Sequence, residues 1–88
     1  MNHNVWYNFA LFVKQQDEKG NTPLHYAVFA ENLKNVKVLF EYGAINAIDV
    51  KNNDKRTPLV LALMNGDEEI VKLLVPKYEA EDFKEVEN

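Results

Sequence analysis

Residues 17–27 read DEKGNTPLHYA, and the last six of them decide how the rest of the chain is read. Thr22-Pro23-Leu24 returns as Thr57-Pro58-Leu59, 35 residues later. The same offset pairs Ala27 with Ala62, Val36 with Val71, Lys37 with Lys72 and Leu39 with Leu74. A period of this length is the mark of a stacked repeat, in which each copy is one supersecondary unit that buries its apolar face against the next.

Each copy reads as two short helices. A threonine hydroxyl accepts a hydrogen bond from an otherwise unpaired N–H at a helix start, and proline at the first helical position has no N–H to leave unpaired. The first helix is therefore expected from Thr22 to about Ala30 and from Thr57 to about Asn65, with Gly66 supplying a left-handed stop. Asn32 and Asp67 are suited to cap the second helices, whose apolar positions recur at helical spacing: Leu33, Val36, Leu39 and Phe40, then Ile70, Val71, Leu73 and Leu74. Gly43 closes the second helix of the first copy, and Pro76 is expected to stop or kink that of the second.

These residues carry a family resemblance. GNTPLHYA resembles the ankyrin signature T-P-L-H-x-A, and ENLKNVKVLFEYGA is similar to the family's second helix. The likeness covers roughly residues 17–78. It weakens in the second copy, where Val60 stands in place of the histidine and Lys55 in place of the turn glycine. The implied fold is all-α: a short ankyrin-repeat solenoid of helix-turn-helix units joined by an extended hairpin finger, with an added N-terminal helix. We divide it into a capping helix (1–16), a first repeat (17–51), a second repeat (52–78) and an acidic tail or short helix (79–88), all one domain.

The resemblance gives His25 a structural part, fixing the turn and tying neighbouring units. Its place in the first turn of a helix favours the neutral ring, and neither cysteine nor a second nearby histidine exists to share a metal. The acids Asp67, Glu68 and Glu69 sit at a helix N-terminus, where they stabilise the dipole. Serine is absent, and no Gly-rich phosphate loop or two-histidine helix motif is present, so neither catalysis nor a cofactor is expected.

Charge adds little. Residues 79–88 carry five acids against Lys84, whereas residues 1–78 carry nine acids and nine bases, so no basic field suited to nucleic acid is expected. No membrane span or leader is expected either, and a cytoplasmic location follows. With no cysteine, no disulfide framework is possible.

What the family uses for partners is the row of turn tips and the exposed face of each first helix. Carried over by position, this implies Glu18, Lys19, Asn21, Phe29 and Ala30 in the first copy, and Asn53, Asp54, Arg56, Met64 and Asn65 in the second. Phe29 and Met64 suit apolar anchors. A core reading of both stays open, although Val28 and Leu63 are expected to fill the space between helices. Lys51 and Arg56 in the finger, residues 46–56, suit steering charges.

The expected function is a non-catalytic module that binds, scaffolds or inhibits another protein. The alternative is a structural or oligomerising subunit. Residues 5–13, VWYNFALFV, are apolar at eight of nine positions, so a helix here would be buried nearly all round, with Trp6 and Phe9 available to a homo-oligomer interface. Ala80, Phe83 and Val86 are spaced by threes and allow a short final helix.

Overall fold

A computed structural model describes residues 12–87, with side chains to residue 79. Among the described residues, the helical residues 12–14 are followed by four helices in order: α1 (Pro23–Phe29), α2 (Leu33–Glu41), α3 (Pro58–Asn65) and α4 (Glu68–Glu87), with a 3-10 turn at Ala44–Ala47 between α2 and α3. Among the described residues there is no strand. Each unit is a helix pair, α1 with α2 and α3 with α4, and α1 packs on α3.

The helix starts follow from single side chains. Thr22 caps α1 and accepts from the His25 N–H, and Thr57 caps α3 in the same way, accepting from the Val60 N–H. Asn32 accepts from the Asn35 N–H at 3.0 Å, and Asp67 from the Ile70 N–H at 3.2 Å. Two left-handed positions recur in each unit at the 35-residue offset. One falls at Gly20 and Lys55, the other at Glu31 and Gly66, so each unit places a glycine at one and a strained non-glycine at the other.

One core runs through both units. Leu24, Val28, Val36, Ile48, Ala62, Ile70 and Leu74 are buried together, and Val13 joins them from the helical residues 12–14. Each large aliphatic side chain buried this way contributes about 1.5 to 3 kcal/mol. The rest of the apolar 5–13 segment, with Trp6 and Phe9, lies outside the described residues.

Three expectations need correction or refinement. α4 is not stopped at Pro76: it runs unbroken to Glu87, so the final helix is the continuation of α4 and not a separate element. Pro76 lacks an N–H, which leaves the Lys72 carbonyl without its usual donor four residues on. Leu63 does not fill an inter-helix space as Val28 does; it is exposed, because Val28 has α3 beside it and Leu63 has no following unit among the described residues. The finger is confined to a turn at residues 52–56, since Ala47 and Ile48, within the span first read as finger, are core.

Candidate functional site

The two tips are built alike. In the first, Asp17 Oδ1 accepts from the Lys19 and Asn21 N–H groups at 3.0 and 2.9 Å, and the Gly20 N–H reaches the Asp17 carbonyl. In the second, Asn52 Oδ1 accepts from the Asp54 and Arg56 N–H groups at 2.9 and 3.0 Å, and the Lys55 N–H reaches the Asn52 carbonyl. One short polar side chain thus closes each tip. The Tyr26 hydroxyl donates to the other oxygen of Asp17, and this bond, followed by the Asn21 N–H, holds the Asp17 carboxyl below its ordinary value.

Side-chain amides and one imidazole lock tip to tip. The Asn53 N–H donates to the Lys19 carbonyl at 2.9 Å and Asn53 Nδ2 to the Glu18 carbonyl at 2.8 Å, while Asn52 Nδ2 donates to Asn21 Oδ1 at 2.9 Å. His25 Nε2 faces the Arg56 carbonyl at 2.9 Å, and a carbonyl only accepts, so Nε2 carries the proton. The bare Nδ1 then accepts from the Thr22 N–H at 3.0 Å and the Thr22 hydroxyl at 2.8 Å. Burial pushes the pKa of the ring down, against the pull of the Arg56 carbonyl. His25 therefore ties the start of α1 to the tip of the second unit as a neutral ring. At the far end of the first helices, Asn65 Nδ2 donates to the Val28 and Phe29 carbonyls at 3.3 and 3.4 Å.

Beside these joints lies a groove of about 200 Å³ lined by Lys19, Asn21, His25, Tyr26, Phe29, Asn52, Asp54, Arg56 and Leu61. It brings together five of the residues named from the resemblance: Lys19, Asn21, Phe29, Asp54 and Arg56. Phe29 is 67% and Met64 59% exposed. Asn53, Asn65 and the Glu18 carbonyl are occupied in the joints just described, Lys51 is exposed with its carbonyl accepting from Gln16 Nε2 at 3.1 Å, and Ala30 lines a separate depression with Asn35 and Val38. Trp6 and Phe9 lie outside the described residues. Sequence reasoning missed Tyr26, Leu61 and Asn52. Tyr26 and Leu61 are a 35-residue pair at the variable position of the signature, and that pairing was the available signal.

Among the described residues no cluster of three or more acids, histidines or cysteines could hold a metal, and no helix is long and apolar enough to cross a membrane.

Stacked helix pairs, capped by Thr-Pro and linked through tips and an imidazole, define a helical repeat protein. A family model described as Ankyrin repeats (3 copies) matches residues 3–85, and the chain belongs to the ankyrin repeat family. It is 42% identical over 62 residues to a B-cell lymphoma 3 protein homolog of Mus musculus, covering 67% of this chain and 14% of that protein. It is 33% identical over 75 residues to the human ankyrin repeat domain-containing protein 13C, covering 85% of this chain and 14% of that one. A putative ankyrin repeat protein of Neisseria meningitidis serogroup B is 34% identical over 67 residues, 76% of this chain and 26% of its own length. The chain spans about a quarter or less of the length of these relatives. Ankyrin repeats are in general protein–protein interaction modules, a fold that works by binding.

Proposed function

We propose that this chain is a non-enzymatic binding module that docks a partner protein across its two tips and the faces of α1 and α3, scaffolding or blocking that partner. The observation that carries the reading is the groove itself. Tyr26, Phe29 and Leu61 supply apolar wall, Lys19, Arg56 and Asp54 supply charge at the rim, and the backbone beneath is already tied by the tip bonds. A preformed groove loses little freedom when a partner orders on it, so more of the contact energy remains as affinity. Phe29 and Met64 are anchors in this reading, and Lys51 and Arg56 steer the encounter.

The test is a kinetic series against a partner captured from the native cell, at two ionic strengths. Phe29→Ala and Met64→Ala are expected to speed dissociation, each by about 2 kcal/mol in a desolvated centre. Lys51→Ala with Arg56→Ala is expected to slow association most at low salt. Four silent changes in a folded protein, with binding lost on substitution at Trp6 or Phe9, would hand the interface to the N-terminal segment.

A further inference from the structure

The two units share a pattern but not a degree of cover. Val28 is 0% and His25 1% exposed, whereas Leu63 and Val60, their counterparts 35 residues on, are 57% and 38% exposed. The first pair lies against α3 and the second tip; the second pair lies on the side of the second unit away from the first. In a solenoid an apolar outer face is a stacking surface. Among the described residues the outer face of the second unit is exposed and apolar at its centre. Leu63 and Val71, with Gly66, Glu68 and Lys72, line a depression of about 320 Å³.

We propose that a second copy of this chain covers that face, the second units of the two copies meeting across a two-fold axis. The charges select this occupant. Glu68 and Lys72 stand one turn apart on α4 beside the apolar centre. A two-fold axis sets residue i of one copy against residue j of the other and the reverse. A patch with one acid and one base is therefore complementary to itself, with Glu68 of each copy meeting Lys72 of the other. A partner surface of single sign would attract one of the two and repel the other. The groove formed by Lys19, Tyr26, Phe29 and Arg56 is lined by none of these residues, so the dimer keeps both grooves open and presents a partner with two linked sites. The inference does not rest on the groove's being a binding site.

The test is light scattering and sedimentation of the intact chain over a dilution series. A monomer–dimer equilibrium that stops at the dimer is expected. Leu63→Glu, on an exposed position, is expected to abolish it while the helical spectrum is retained. Glu68→Lys alone and Lys72→Glu alone are each expected to weaken the dimer about tenfold or more, since like charges then face each other. Mixing those two variants is expected to restore it as a heterodimer, because every facing pair is again opposite in sign. The proposal is overturned by a chain that stays monomeric at every concentration, by growth beyond the dimer, by a dimer that survives Leu63→Glu, or by failure of the mixed variants to pair.

Discussion

At the scale of single residues, the difference between Gly20 and Lys55 shows what a neighbour imposes. Both occupy the same left-handed place in their tips, with φ of 81° and 64°. A Cβ on Gly20 would lie 2.6 Å from Asn53 Oδ1 and 2.7 Å from the Asn53 backbone nitrogen, so the second tip leaves no room for a side chain. Lys55 is exposed and escapes that constraint, keeping only the cost of its backbone. Gly20→Ala is therefore expected to lower stability by about 2 to 3 kcal/mol, through left-handed strain and the lost Asn53 bond. Lys55→Gly is expected to raise it by about 0.5 to 1 kcal/mol, the relief of strain exceeding the added freedom of the unfolded chain. Urea melts of the two variants check both signs, and a neutral Gly20→Ala would show that the tips are not in contact in solution. The sequence placed the left-handed position by resemblance; the reason one tip needs glycine lies in a residue 33 positions away.

Among the elements, α4 departs most from its expected form. Its twenty residues extend about 30 Å, against about 14 Å for the nine residues of α2, so its later turns run past the length of its counterpart in the first unit. Leu74 and Ile70 anchor its first half in the core, and Lys77 Nζ sits 4.7 Å from the centre of the Phe40 ring. With contacts on both sides of residue 76, the helix spans the proline although a hydrogen bond is lost there. Pro76→Ala restores that N–H at an exposed position and is expected to stabilise the chain by about 1 to 3 kcal/mol, with no loss of helix signal in circular dichroism. An unchanged or lowered melting temperature would mean that the proline shapes a bend the fold requires. Helix starts were legible because each depends on one side chain within three residues, as at Thr22, Asn32, Thr57 and Asp67. The passage through Pro76 was not, since local propensity favours a break and tertiary packing decides otherwise. Leu63 was misplaced for the same reason: burial depends on the number of neighbouring units, which a local pattern does not carry. Asn53 at a tip and Asn65 at the end of α3 also tie the second unit to the first through their amides, and that packing was not legible because an asparagine serves a partner or a neighbouring unit equally well in a local pattern.

For the whole molecule, the joint between units is sensitive to acid. Burial holds the His25 pKa below its ordinary value of 6.5, so the unfolded chain takes up a proton first as pH falls. Its contribution is fully present above 6.5 and is lost progressively as pH drops from 6.5 through the lower folded value. Asp17, also depressed, adds a second loss below its ordinary 3.8. His25→Gln keeps a side-chain oxygen able to accept from the Thr22 N–H but cannot titrate. It is expected to flatten the upper part of the acid limb in a stability series from pH 7.5 to 4, and an unchanged upper limb would assign the loss to other groups.

The hydrogen bonds that cross between units lie along one margin, from Asn53 and Asn52 at the tips through His25 to Asn65 at the end of α3. The opposite margin, where α2 meets α4, is held by apolar packing and the Lys77–Phe40 contact. Directional bonds fix which donor meets which acceptor to within a fraction of an ångström, whereas close apolar packing fixes shape but no such pairing. The pair of units is therefore hydrogen-bonded along the tips and packed along the back, like a book bound at one edge. Any adjustment to a partner is expected to shift the α2–α4 packing while the tips keep their register. The Asn53 amide, which crosses the bound edge to Lys19, is the proton whose exchange rate should report how often the binding opens.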